Sequence, residues 1–161
     1  MDYLLTEEQV MIRDLCRQIA TEKIAPVAAE YDKSEEFPSG IIKLIAESDL
    51  FAIFVPVEYG GTGGGVLDLC IATEELSRAC GGIAVCYAAS ALGTFPIVLY
   101  GSEEQKKKYL PDLAKGKTIA AFGITEPEAG SDASAIKTTA VKKGDHYILN
   151  GTKHFITNGG E

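Results

Sequence analysis

The residues with the clearest potential for chemistry lie in one loop, Phe122 to Asp132. An apolar run, Thr118 to Ile124, leads into this loop and predicts a buried strand, because it is rich in small and β-branched residues. Pro127 then prevents the strand from continuing, since proline lacks the N–H that a ladder needs. The loop offers the hydroxyls of Thr125 and Ser131 and contains no Lys or Arg. This chemistry suits the polar, largely uncharged edge of a heterocycle better than a phosphate group.

A second group of candidate residues comes near the end of the chain. Thr152 to Thr157 predicts a strand, in which side chains alternate between two faces. Phe155 and Thr157 would then share one face, with Ile156 on the other. Taken alone, Phe155 is typical of an ordinary aromatic residue in a sheet core. Beside the loop at 122–131, we interpret it as a flat surface for a planar ring.

The elements that must position these residues are mostly helices. Thr6 to Gln9 and Ser102 to Gln105 each have the spacing of a capping box, which begins a helix. Pro26 ends or kinks the first helix, and Pro111 closes the last one. Glu103 and Lys107 stand four residues apart in the order that favours an ion pair.

Two more helices are expected in the middle of the helical region. Val66 to Ala79 predicts a helix whose polar side carries Glu74 and Glu75. Gly82 to Tyr100 contains no charged residue and predicts a central helix, broken by Gly93 and a proline. Two compatible interpretations of this helix stay open: it is buried all round, and part of it lines an apolar ligand pocket.

A run of five glycines and one threonine at 60–65 suggests a dinucleotide-binding loop, but its spacing does not fit. Val66 or Asp68 stands where the third glycine of that motif would fall, and the Gly-Lys pair of a phosphate loop is missing. We interpret the run as a flexible connection between helices, with the border of a ligand cleft as the alternative.

The last part of the chain predicts short strands separated by turns. Gly144-Asp145 and Asn150-Gly151 are strong hairpin signals. The predicted strands are Ile136–Lys142, His146–Leu149 and Thr152–Thr157. The expected fold class is therefore α+β: an all-helical bundle domain over 1–117, then the first strands of an antiparallel β domain over 118–161.

Composition excludes several functions. The net charge of −8 over 161 residues argues against a nucleic-acid partner. No apolar run reaches the ~20 residues of a membrane span. The four cysteines and two histidines have no metal-ligand spacing, so no metal site is predicted and the cysteines are expected to be buried, reduced thiols. The acidic N-terminus lacks signal character, so we expect a cytoplasmic protein or a mature matrix form.

The motifs resemble those of a known family. Gly123-Ile124-Thr125-Glu126-x-x-Ala129-Gly130-Ser131-Asp132 and Phe155-Ile156-Thr157-Asn158-Gly159-Gly160 are similar to the flavin-binding signatures of acyl-CoA dehydrogenases. The segments 56–61 and 104–110 extend the resemblance, which spans essentially all 161 residues.

The resemblance implies three domains that enclose FAD and an acyl thioester. Thr125 would place its hydroxyl near the reactive flavin nitrogen, Phe155 would pack on the flavin and Thr157 would bond it. Ser131 would contact the FAD pyrophosphate and the substrate. The implied cofactor-binding residues are Phe122, Ile124, Thr125, Gly130, Ser131, Phe155, Ile156 and Thr157.

The implied reaction is dehydrogenation of an acyl-CoA to a 2-enoyl-CoA, with electrons passed to an electron-transfer flavoprotein. The complete enzyme would be a homotetramer. The family's catalytic carboxylate belongs to a C-terminal helical domain that these 161 residues do not contain. No catalytic residue is therefore assigned, and the isolated chain is expected to be inactive. Two alternatives remain: a non-catalytic module that binds an acyl thioester or a partner, and a flavin-dependent acyl-CoA oxidase.

Overall fold

The computed structural model of the protein describes residues 4–161. Helices dominate the chain up to residue 114, and an antiparallel hairpin follows. The α+β class predicted from the sequence is confirmed. The helices are α1 (Glu7–Ile19), α2 (Ala28–Ser34), α3 (Ser39–Glu47), α4 (Val66–Ser77), α5 (Gly81–Tyr100) and α6 (Glu103–Ala114), and the strands are β1 (Thr139–Lys143) and β2 (His146–Asn150).

Both predicted capping boxes are present. Thr6 accepts from the backbone N–H of Gln9 at 3.2 Å, and the Gln9 side chain accepts from Thr6 N–H at 3.1 Å. Ser102 and Gln105 repeat the arrangement at 3.3 and 2.8 Å. Each box satisfies two of the N–H groups that a helix start leaves unpaired.

The predicted helix breaks at proline were wrong in two places. Pro96 lies inside α5 and Pro111 inside α6, which continues to Ala114. A proline removes one helical hydrogen bond and crowds the preceding turn. Helix α6 buries Leu110 just before its proline and Leu113 and Ala114 after it, and this packing helps to keep α6 continuous.

The sequence also missed helix α2. A π-helical turn, Ala20–Ile24, follows α1 and keeps both of its end residues buried. After Pro26 the chain forms helix α2, which ends at Glu35. Glu35 has a left-handed backbone (φ 59°), and its N–H donates to the carbonyl of Tyr31. The polar composition of this short segment did not predict a helix.

The hydrophobic core lies between α5 and the elements around it. Helix α5 packs against α3, α4 and α6, while α1 packs on α4. Tyr87 of α5 is completely buried beside Phe51, with ring centroids 5.5 Å apart. Its hydroxyl donates to the carbonyl of Leu50 at 3.0 Å, so the one polar atom of this ring is satisfied.

Helix α4 turns a different face to the core from the one predicted. Glu75, expected on the polar side, is 4% exposed, whereas Val66 lies on the surface. Cys70 is exposed too, contrary to the expectation that the cysteines are buried. The Glu75 carboxylate accepts two bonds from the Arg17 guanidinium, at 2.7 and 3.0 Å, and Arg78 lies 3.5 Å away. The bonds from Arg17 lower the pKa of Glu75. The charge of Glu75 predicted a solvent-exposed position, but its pairing with Arg17 allows the carboxylate to be buried.

The prediction that α5 is buried all round was also wrong. Val85, Leu92 and Leu99 are 50–65% exposed, whereas Tyr87 and Ala91 on the opposite face are enclosed. The expectation that no apolar run reaches the length of a membrane span was wrong: by length and composition alone α5 would suffice to cross one, a test that core helices of other proteins also pass. Here its buried face packs inside the helical bundle.

The glycine-rich loop is closely packed rather than a flexible connection. Thr62 N–H donates to Ala52 at 2.9 Å, and Gly63 N–H donates to Val55 at 3.0 Å. A Cβ on Gly61 would lie 1.8 Å from the Val55 carbonyl oxygen, so only glycine fits. The loop borders an apolar cleft of about 860 Å³ shared with α1, which none of the predicted flavin residues line.

After residue 118 the prediction was partly right. The hairpin turn at Gly144-Asp145 is confirmed, with Lys143 paired to His146 and Gly144 in the left-handed region. In the described part of the chain, Thr118–Ile124 and Thr152–Thr157 form no strand. Residues 121–124 have no regular secondary structure and are exposed.

Candidate functional site

The loop at 122–131 is folded around one tight turn. The backbone N–H groups of Glu126 and Ala129 donate to each other's carbonyls at 3.0 and 3.1 Å. Ala129 is buried, and Gly130 and Ser131 stand exposed just beyond it. The small residues and Pro127 therefore shape the turn, as their types indicated.

The carboxylate of Glu126 fixes this turn to the rest of the site. It accepts from the backbone N–H of Lys137 at 2.7 Å and of Thr138 at 3.0 Å, and from the Lys153 ammonium at 2.8 Å. The side chain is almost enclosed. Chiefly because of the bond from Lys153, the pKa of Glu126 falls to about 2. The carboxylate stays ionised and holds three chain segments together.

Lys153 and His154 bring the two predicted flavin segments side by side. The Lys153 ammonium also donates to the carbonyl of Ile124 at 3.0 Å. The next backbone N–H, of His154, donates to the carbonyl of Thr125 at 2.9 Å. Residues 124–125 therefore lie directly against the stretch that leads into Phe155.

Phe155 adopts a geometry that the sequence did not predict. Its backbone is left-handed (φ 56°) and its side chain is 93% exposed. The prediction that Phe155 and Thr157 share a strand face was wrong, because a turn begins at Thr157. Ile156 accepts from Gly159 N–H at 2.9 Å to close that turn. The chain thus presents the Phe155 ring on the surface, edge-on to the His154 ring, with the two ring centroids 5.7 Å apart.

Comparison with known proteins identifies the family. The model of the acyl-CoA dehydrogenase N-terminal domain matches residues 6–117, and that of the middle domain matches residues 121–161. The chain belongs to the acyl-CoA dehydrogenase family. The resemblance drawn from the sequence is confirmed.

Individual relatives agree. A short-chain-specific acyl-CoA dehydrogenase of Clostridium acetobutylicum is 48% identical over 99% of this chain and 42% of its own length. The acryloyl-CoA reductase (NADH) of Anaerotignum propionicum is 45% identical over 99% of this chain and 41% of its own. The chain thus spans about two fifths of the length of these relatives.

Solved structures share the fold. The glutaryl-coenzyme A dehydrogenase–glutaryl-CoA complex superposes with a TM-score of 0.90, at 40% identity over 97% of this chain and 40% of that one. An acyl-CoA dehydrogenase of Bacillus anthracis complexed with FAD superposes with a TM-score of 0.86. It is 42% identical, and the match covers 96% of this chain and 27% of that one. A chain from a structure of the electron transferring flavoprotein of Acidaminococcus fermentans superposes with a TM-score of 0.94. It is 47% identical, and the match covers 100% of this chain and 43% of that one.

FAD is the expected cofactor of this acyl-CoA dehydrogenase family member, and the polar groups of the site fit a flavin. Among residues 4–161, the backbone N–H groups of residues 122–125 find no acceptor. The hydroxyls of Thr125, Ser131 and Thr157 are likewise unbonded within this part of the chain. A flavin ring carries donors and acceptors along one edge and a flat apolar face, which these groups and Phe155 match.

Sequence reasoning missed the residues that hold the site together. Lys153 and Glu126 are 27 residues apart, and no local pattern signals their pairing. Asn158, which is buried, had a usable signal: asparagine before two glycines favours a left-handed turn. Ser90, inside an apolar helix, also supports the site: its hydroxyl oxygen accepts a hydrogen bond from the backbone N–H of Ala120. No metal-binding cluster occurs among the residues described.

Proposed function

We propose that this chain forms the N-terminal part and the first flavin-binding segments of an FAD-dependent acyl-CoA dehydrogenase. The reaction is α,β-dehydrogenation of an acyl-CoA to the 2-enoyl-CoA, with electrons passed to an electron-transfer flavoprotein. One observation carries the proposal. The Glu126–Lys153 pair holds residues 122–125, with their free N–H groups, beside the exposed ring of Phe155.

The residues of the site have separate tasks in this proposal. Thr125 donates from its hydroxyl to the polar edge of the flavin, and Phe155 packs against the ring. Ser131, exposed beyond the turn, contacts the pyrophosphate and the substrate. When bound, FAD supplies the acceptor for the two electrons that leave the acyl chain. Proton abstraction needs a base within hydrogen-bond reach of the substrate α-carbon, and we assign that base to no residue of this chain.

The exposed apolar face of α5 has a place in the same proposal. Val85 and Leu92 are exposed on the same helix whose Ser90 accepts a hydrogen bond from Ala120 N–H. An apolar surface next to the flavin segments suits the acyl chain of the substrate, in keeping with the ligand-pocket interpretation. We also propose that the complete enzyme is a homotetramer of the cytoplasm, or of the matrix as a mature form.

A second candidate is the reverse reaction, reduction of an enoyl thioester. The 45% identity to the acryloyl-CoA reductase (NADH) favours it. The same flavin site would serve both directions, so the direction depends on the electron partner and on the potential of the bound flavin.

A chimera tests the proposal. Residues 1–161 replace the matching segment of the Clostridium acetobutylicum relative, which is 48% identical. We expect a yellow protein with non-covalent FAD that oxidises acyl-CoAs with an artificial electron acceptor. The 161-residue chain alone, assayed with added FAD, should show no turnover. A folded, colourless chimera would instead support the binding-module alternative.

Two substitutions in the chimera locate the flavin. Thr125→Val removes a hydroxyl at nearly constant volume and should weaken FAD binding or shift its reduction potential, by about 0.5–1.5 kcal/mol. Phe155→Ala should weaken FAD binding because a large contact area is lost, whereas Phe155→Trp should retain it. Unchanged FAD affinity in both Thr125→Val and Phe155→Ala would place the flavin elsewhere.

A further inference from the structure

We propose that Asn158 is a positioning residue of the flavin site, because its amide ties both flavin segments to helix α5. The inference rests on the proposed function, from which it takes FAD as the cofactor. The tether itself is a property of the chain and can be measured without FAD.

The Asn158 side chain reaches two distant carbonyls at once. Its Nδ2 lies 2.9 Å from the Cys86 oxygen in α5 and 3.1 Å from the Ala120 oxygen. The residue is only 8% exposed, so these bonds form largely out of water, where they are electrostatically stronger. One amide therefore connects α5, the stretch before Phe122 and the turn that begins at Thr157.

Ala120 is held from its other side as well. Its N–H donates to Ser90 Oγ at 3.0 Å, and Ser90 is 1% exposed. Gly93, on the same helix, leaves room for residues 120–121, since a Cβ there would lie 2.7 Å from the Ala120 Cβ. The backbone N–H and C=O of Ala120 are thus both fixed by side chains, two residues before Phe122.

Asparagine meets both requirements of this position. The backbone is left-handed (φ 64°), which asparagine and glycine tolerate better than most residues. Glycine would supply no donor, and an aspartate would set carboxylate oxygens against two carbonyl oxygens. Turning the amide around would cause the same repulsion. Its Oδ1 is buried and accepts no bond within residues 4–161.

Asn158 thereby sets the distance between the two halves of the flavin site. Thr157 precedes it directly and Phe155 lies three residues earlier, while Ala120 leads into residues 122–125. Without the amide, each segment would sample more positions, and binding would have to restrict them. A binding site whose supporting contacts are lost has lower affinity even when every contacting residue remains.

The first experiment measures the tether in the 161-residue chain without cofactor. Asn158→Gly keeps the left-handed backbone and removes the donors. Asn150→Gly, at an exposed position whose side chain forms no bond among the residues described, is the matched control. Amide hydrogen exchange of Ala120, followed by NMR, should become roughly tenfold faster in Asn158→Gly and stay unchanged in the control. Unchanged exchange in Asn158→Gly would overturn the proposal.

The second experiment measures the effect on the cofactor in the chimera. Asn158→Gly should raise the FAD dissociation constant about tenfold and alter the visible circular dichroism of the flavin, with Asn150→Gly unaffected. If Asn158→Gly does not fold, Asn158→Asp is measured instead, with the same expectation. Wild-type affinity and spectrum would overturn the positioning role. A wild-type chimera that binds no FAD would overturn the proposed function, while Ala120 exchange still decides whether the tether exists.

Discussion

The helical region and the region after residue 118 keep their shapes by different physics. Residues 7–114 enclose a continuous apolar core around α5. After residue 118 the buried residues are Glu126, Ala129 and Asn158, and two of these are polar. The first region is stabilised mainly by burial, which is strong and non-directional. The second is positioned by a few directed bonds, which contribute less free energy and define geometry. Substitutions in the two regions should therefore change different measurements.

The largest contrast is expected between a core residue and a hairpin residue. Phe51 is fully buried and Leu149 is 71% exposed. Phe51→Ala should destabilise the chain by about 3–5 kcal/mol, because it leaves a cavity, whereas Leu149→Ala should change stability by less than about 0.5 kcal/mol. Denaturant unfolding followed by circular dichroism measures both. Similar losses would mean that the hairpin belongs to the same cooperative core.

The glycine loop tests whether close packing extends to the edge of the helical region. Gly61→Ala would place a Cβ 1.8 Å from the Val55 carbonyl oxygen and should cost about 1–3 kcal/mol, as overpacking does. Gly40→Ala is the control, since a Cβ there meets nothing within 4 Å in helix α3; it should stabilise by about 0.4–1 kcal/mol. A neutral Gly61→Ala would restore the interpretation of a flexible connection.

In the second region, the Glu126–Lys153 pair should show a local pH dependence. The pKa of Glu126 is lowered from 4.5 to about 2. A lowered pKa means that its stabilising contribution is complete above pH 4.5 and is lost as the pH falls toward 2. The amide signals of residues 137 and 138 should follow this titration, while those of the helical core should not. Lys153→Met should move the midpoint upward, and a wild-type midpoint near 4.5 would contradict the pairing.

The smallest effect is expected at a single, partly buried bond of the helical region. Tyr59 donates to Glu103 at 2.7 Å, and this bond raises the pKa of Tyr59 to about 12. The contribution of this bond to the stability of the fold is complete below pH 10 and is lost as the pH rises toward 12. Tyr59→Phe should lower the melting temperature by roughly 2–4 °C at neutral pH, and the difference should shrink above pH 10. Tyr100→Phe, at an exposed position, should have no effect.

Local patterns succeeded wherever the interacting groups are close in the chain. The capping boxes at Thr6 and Ser102 and the turn at Gly144-Asp145 join residues within three positions of each other. The expected ion pair of Glu103 with Lys107 was off by one residue, since Lys106 lies 3.6 Å from Glu103 instead. These elements need only backbone geometry and neighbouring side chains, which a sequence contains.

Single-residue expectations failed where a distant partner decided the outcome. Glu75 was assigned to solvent by its charge, and Arg17, 58 residues earlier, makes its burial possible. The run at 118–124 had strand-like composition, but composition supplies no neighbouring strand. Residues 119–121 are seated on α5 instead, with Ala120 bonded by Ser90.

The sequence by itself determined the family and the helix starts at Thr6 and Ser102, and it supplied the candidate flavin residues, because all of these depend on short motifs. Tertiary structure alone decided that Phe155 faces outward, that Lys153 joins Ile124 to Glu126, and that Asn158 anchors both segments. Such contacts form between residues tens of positions apart. Their geometry follows from the packing of the helical core, and no period or spacing in the sequence encodes it.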